Sequence, residues 1–160
     1  MNQQNQPSIF GRSFQLVNGD IHLGPRRIDN ETLNDLAIVV GRDNFIQGIQ
    51  VMIDTPFGTD IFNVNYGFDF INILSQPNSI RLTKELIRLN IVKSLSQDNR
   101  VREIREIVFD DDPRFFELNP QENFDEHRSD RKAQRHWQAM VVVETISEGE
   151  VALKLEGVGL

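Results

Sequence analysis

No glycine or proline interrupts the chain from Ile80 to Gln97, and Ser79 stands where an N-cap is wanted, so the pattern predicts a long helix. At about 100° per residue, Ile80, Ile87, Ile91 and Leu95 form one apolar stripe, and Leu82, Leu86 and Leu89 form another almost opposite. Two apolar faces need two surfaces to pack against. Both can lie inside the domain, or the second can meet a neighbouring subunit. Upstream, Phe45, Ile46, Ile49, Met52 and Ile53 share a helical face, and Asn44 with Gln47 three residues on resembles a capping box, predicting a helix from about 44 to 54.

The remaining patterns are shorter. Ile9, Phe10, Phe14, Leu16 and Val17 lead into the turn Asn18-Gly19-Asp20 and on to Ile21 and Leu23, a hairpin signal. Residues 9 to 40 are expected to be an arm of short extended pieces, the last being Leu36 to Val40, bounded by Gly41. Trp137 to Ile146 is rich in valine, Ser147 to Glu150 supplies a turn, and Val151, Leu153 and Leu155 alternate with polar or small residues, which predicts a C-terminal hairpin. Val101, Ile104 and Ile107 recur every third residue, a period that favours helix over strand, although Val108 and Phe109 depart from it. Asp110-Asp111-Asp112-Pro113 ends that segment, and residues 110 to 136 read as a charged, loop-like insertion.

Between the two helices, Pro56 presets φ for a turn and Gly58 takes positive φ without steric cost, so the chain reverses there; a second reversal is expected at Tyr66-Gly67. Pro56, Gly58 and Gly67 are the structural turn residues. Asp60 to Phe68 alternates loosely enough for either a loop or a short strand.

At 160 residues the chain fits one domain with extensions. The net charge of -7 argues against nonspecific binding to nucleic acid or anionic membranes, so its partners are expected to be proteins. The absence of cysteine rules out a disulfide frame, a thiol nucleophile and a cysteine zinc site, and suits a reducing compartment. The segment Met1 to Pro7 has no basic stretch followed by an apolar one, and the apolar runs, such as Met140 to Val143, are too short to cross a bilayer; a soluble, unsecreted chain is expected.

The order Thr55-Pro56-Phe57-Gly58, Asn65-Tyr66-Gly67, a helix from Ser79, Asp98-Asn99-Arg100, a β-prone stretch and a final hairpin resembles the phage baseplate wedge and sheath-initiator family. That family comprises the lysozyme-like baseplate proteins of contractile phage tails and their counterparts in type VI secretion systems, pyocins and extracellular injection particles. The resemblance covers roughly residues 40 to 109 and the hairpin at 137 to 157. The family's marker is a Glu-Pro-Arg triplet after the long helix; here Asp98-Asn99-Arg100 keeps the acid and the arginine and lacks the proline.

The resemblance implies a small α+β single domain (residues 41 to 160), with two main helices on a mostly antiparallel sheet, an N-terminal arm (1 to 40) and the segment after the triplet as a strand. It also implies a structural role in a contractile injection machine, with no reaction and no cofactor. Six copies around the tail axis link the larger wedge proteins to the contractile sheath and template its assembly, with tube or hub proteins as neighbours. Assembly in the bacterial cytoplasm and residence in a virion tail or particle baseplate follow. Asp98, Asn99 and Arg100 are the expected wedge contacts. The expected sheath contacts, as a strand edge, are Trp137, Met140, Val142, Val151, Leu153 and Leu155.

Other readings of the same residues stand beside these. Arg100 can fix the corner through the last helix carbonyls and Asp98, or grip a partner; an ordinary surface pair is the plainest version of the first. Asp60, Asp69 and Glu85 can be nominated as glycosidase carboxylates, but none sits in a distinctive motif. Asp110 to Asp112 is better explained as an exposed acidic loop than as a cation site. His127 and His136, flanked by Arg128, Arg131, Lys132 and Arg135, have poor metal spacing. No nucleotide-binding or nucleophile-elbow motif is present. The functional alternative is a non-ring adaptor whose two-faced helix docks one protein; a peptidoglycan hydrolase is a remote third.

Overall fold

Asn18 and Gly19 both adopt positive φ, 53° and 81°, as a two-residue hairpin turn matched to strand twist requires. They join β2 (Leu16–Val17) to β3 (Asp20–Ile21), flanked by β1 (Arg12–Phe14), β4 (Leu23–Ile28), β5 (Glu31–Leu36) and β6 (Ile38–Val40). The computed structural model describes residues 9–28, 31–120, 136–147 and 149–158. Its contacts cluster into two units, Met1–Ile49 and Gln50–Leu160.

In the first unit the strands pair antiparallel in three two-stranded pieces, β1 with β6, β2 with β3 and β4 with β5. Two-stranded pieces are marginal alone. Here Gln15, His22 and Ala37 tie them together, Gln15 N–H donating to Ala37, His22 N–H to Gln15 and Ala37 N–H to His22. Helix α1 (Gly41–Asp54) begins three residues before the expected start. Asn44 and Gln47 are therefore not a capping box. Buried Asn44 donates to the Phe10 carbonyl and accepts from Ser13 Oγ, while Gln47 accepts from Leu16 N–H and donates to the Phe14 carbonyl. These two amides satisfy arm backbone groups instead of the helix's own first turn. Phe10 stacks on Phe45 beneath them, with centroids 5.1 Å apart.

The second unit is an α+β layer structure. It contains α2 (Phe70–Ser75), α3 (Ile80–Leu95), β7 (Val101–Phe109), α4 (Pro113–Leu118), β8 (His136–Thr145) and β9 (Gly149–Val158). Strands β7, β8 and β9 form one antiparallel sheet in that order. Ser79 caps α3 by accepting from Leu82 N–H, as expected. Ile87, Ile91 and Leu95 are fully buried, whereas Ile80, Leu82 and Leu89 are exposed. Thus the second stripe is only partly covered, Leu86 half-buried and Leu82 and Leu89 exposed, and Ile80 at the start of the first stripe is exposed as well. Helix α3 lies on the sheet face that carries Phe109, whose ring sits 5.5 Å from Lys84 Nζ and 5.4 Å from Arg88 Cζ. On the opposite face, Val108 and Met140 pack with Phe115 of α4.

Two features escaped the sequence reading. Helix α2 had no strong periodic signal. Helix α4 occupies the start of the supposed loop-like insertion, with Asp112 accepting from Arg114 N–H as its N-cap and Pro113 in its first turn. The remainder of that insertion, residues 121–135, lies outside the described residues, as does His127; of His136 only the backbone is described. The undecided segment from Asp60 to Phe68 is loop, entering a single parallel bridge at Phe68 with Pro56.

The threefold spacing of Val101, Ile104 and Ile107 belongs to a strand, contrary to its helical period. Register shifts fall between Val101 and Glu103 and between Ile104 and Glu106, each placing an extra β7 residue against β8. Each bulge delays the alternation by one residue. Val101, Ile104, Ile107 and Phe109 consequently pair with Thr145, Val143, Val141 and Ala139 and share their face. The last three of those β8 residues are fully buried.

Candidate functional site

The corner after α3 is built by local hydrogen bonds. Ser96, Gln97 and Asp98 N–H groups donate back to Val92, Ser94 and Leu95, and Val101 N–H donates to the Asp98 carbonyl, turning helix into strand. Asp98 Oδ1 accepts from the Arg100 backbone N–H at 2.9 Å and from Nε at 2.9 Å, while Oδ2 accepts from Nη2 at 2.6 Å. This is a two-pronged guanidinium–carboxylate pair, partly sheltered from solvent. Burial pushes the Asp98 carboxyl up, but the side-chain and backbone bonds from Arg100, with its charge, carry it below the ordinary aspartate range. Arg100 is raised, chiefly by its bond to Asp98 and against its own burial.

The other reversal meets this corner. The Thr55–Gly58 turn is held by Phe57 N–H donating to Phe68, Phe68 N–H to Thr55 and Gly58 N–H to Tyr66. Gly58 and Gly67 have φ of 79° and 104°, so both predicted turn glycines occupy conformations that side chains resist. Ser94 of α3 donates to the Gly67 carbonyl, and Lys93 Nζ sits 4.5 Å from the Phe57 ring. As a result Asn65, Tyr66 and Gly67 line one cleft of about 400 Å³ together with Asp98, Asn99 and Arg100. Tyr66 is expected in a turn and in the motif that resembles the family's, not beside the acid–arginine corner. Its phenol is pushed up by burial, with Arg100 opposing. Tyr66 is the chain's single tyrosine, set beside a turn glycine.

The six residues nominated as a strand edge separate into two groups. Met140 and Val142 lie on β8, the middle strand, where its backbone is paired on both sides, so they do not form an edge; Trp137, beyond the last pair with β7, is paired with Gly157 of β9. Val151, Leu153 and Leu155 lie on β9, with side chains buried in the core. Among the described residues no strand pairs with the outer side of β9 or of β7. The two edges differ physically. That of β7 is broken by bulges and studded with Arg102, Glu103, Arg105 and Glu106, features that discourage pairing, whereas β9 keeps an unbroken register from Gly149 to Val158.

The nominated carboxylates are engaged locally. Asp60 accepts from Phe62 and Asn63 N–H, Asp69 from the Asn72 side chain, and Glu85 pairs with Arg88. Asp110, expected in an exposed acidic loop, is buried, with Lys84 Nζ 3.8 Å from it and 2.8 Å from Asp111. No group of three metal-ligating side chains converges among the described residues, and none of their helices is long and apolar enough to cross a membrane. No family model, curated protein or solved structure matches this chain.

Proposed function

We propose that the chain is a structural baseplate component of a contractile injection machine, joining the wedge to the sheath and templating sheath growth. The observation that carries this reading is the meeting of two sequence-distant motifs, Asn65-Tyr66-Gly67 and Asp98-Asn99-Arg100, in one polar cleft. A rigid corner of that kind suits a fixed docking contact better than a moving catalytic group. The unbroken outer edge of β9 supports the second half of the role, since an arriving extended segment can complete the sheet there. No reaction belongs to this function.

One observation favours a second reading. Leu82 and Leu89 are 48% and 64% exposed on the outer stripe of α3, a surface on which an adaptor without ring symmetry can hold a single partner. Native mass spectrometry of the chain purified with its bound proteins separates the two: the baseplate role predicts six copies with wedge and sheath subunits, the adaptor a one-to-one complex.

A further inference from the structure

A second cleft, of about 340 Å³, shares no lining residue with the acid–arginine cleft. Its floor is apolar and aromatic, made by Ile53, Pro56, Phe68, Phe70, Ile71 and Trp137. Trp137 is fully buried, yet its Nε1 has no hydrogen-bond partner among the described residues. The indole lies across Gly157 of β9, which lines the same cleft; a Cβ at that glycine would come within 2.7 Å of Nε1. Only a residue without a side chain leaves room for the ring there. The ring therefore forms a closed aromatic wall under the cleft, packed against Gly157.

The charge around this cleft has one sign. Asp54 and Glu156 line it and are exposed, and no lysine or arginine is among its lining residues. An anionic ligand is repelled by this rim, whereas a cationic side chain with a long aliphatic stem suits both the carboxylates and the aromatic floor. We infer that the cleft binds an extended basic peptide segment of a partner protein. The stem of its lysine or arginine lies on Phe70 and Ile71, the charged head meets Asp54 and Glu156, and the Trp137 indole beneath reports the occupied cleft. This site does not depend on the baseplate reading, and either can fail without the other.

Trp137 is the only tryptophan in the chain, so its indole N–H gives a single, assignable nitrogen-15 resonance. The full chain is titrated with the capped peptide acetyl-Leu-Arg-Leu-amide and, separately, with acetyl-Leu-Glu-Leu-amide. The basic peptide is expected to shift the indole resonance saturably and the acidic one to leave it in place. The double variant Asp54→Lys/Glu156→Lys, both positions being exposed, is expected to weaken the basic peptide by about tenfold or more, with an unchanged circular dichroism spectrum as the folding control. An indole resonance that ignores both peptides or follows both equally, or an affinity unaltered in the folded double variant, overturns the inference.

Discussion

Gly67 passes so close to Thr55 that a Cβ at position 67 would lie 2.5 Å from the Thr55 carbonyl oxygen. Its φ of 104° adds a conformational penalty to that collision. Gly67→Ala is therefore expected to destabilise the fold by about 2–4 kcal/mol. Gly58→Ala, where the nearest atom would be 3.7 Å away, carries the backbone penalty alone and should cost about 1 kcal/mol. Urea unfolding of the two variants checks the order; equal losses would show that the close approach of the two turns contributes nothing.

Asp98 makes stability depend on acid in a defined direction. Because its folded pKa lies below its unfolded one, its contribution is present in full above the ordinary aspartate range. That contribution starts to fall as the pH drops past the ordinary value and is gone once the pH passes below Asp98's own depressed value. Asp98→Asn should be less stable than the parent at neutral pH and lose less on acidification through that window, as followed by denaturant midpoints. Arg100→Ala should cost about 1–3 kcal/mol, because it strands a half-buried carboxylate. A docking test of that variant must therefore be made beside Asp98→Asn, which weakens the corner and leaves the guanidinium in place.

In the first unit, Asn44 satisfies the Phe10 carbonyl and the Ser13 hydroxyl from inside the helix. Asn44→Ala removes both partners in a buried setting and should cost about 1–3 kcal/mol. Hydrogen exchange localises the loss: amides from Gly11 to Leu16 should exchange faster, and those of β8 should not change.

The bulges in β7 give a further prediction. Arg105 pairs with Glu103 and Glu144 at the surface. Arg105→Ala should leave the unfolding midpoint nearly unchanged, since exposed pairs contribute little. Deleting Arg105 removes the extra residue of one bulge and leaves Ile104 two positions before Ile107, so regular alternation keeps both on the same face. That variant should keep a single cooperative transition; its loss would show that the sheet needs the bulge itself and not only the face it assigns to Ile104.

Much of this architecture is legible in local signals. The Asn18-Gly19 turn, the Ser79 cap, the turn glycines and the alternation of Val151, Leu153 and Leu155 each need only a few neighbouring residues to act, and the structure bears each out. The misreadings arose where a residue's partner lies far along the chain. Asn44 and Gln47 have the spacing of a capping box, yet serve backbone groups more than thirty residues upstream. Val101 to Ile107 is the strand that the resemblance implies; its own period is helical because bulges, visible only in the pairing with β8, imitate one. The middle position of β8 and the convergence of Tyr66 with Arg100 are likewise long-range facts, absent from any local window.

The central claim is that this chain acts by shape, through its acid–arginine corner and the outer edge of β9. A cryo-EM map of injection particles containing it is the most direct test. Six copies around the tail axis, with residues 98–100 against a wedge protein and an added sheath strand along β9, is the predicted result. A map in which the corner faces solvent and no second chain touches β9 would contradict the account.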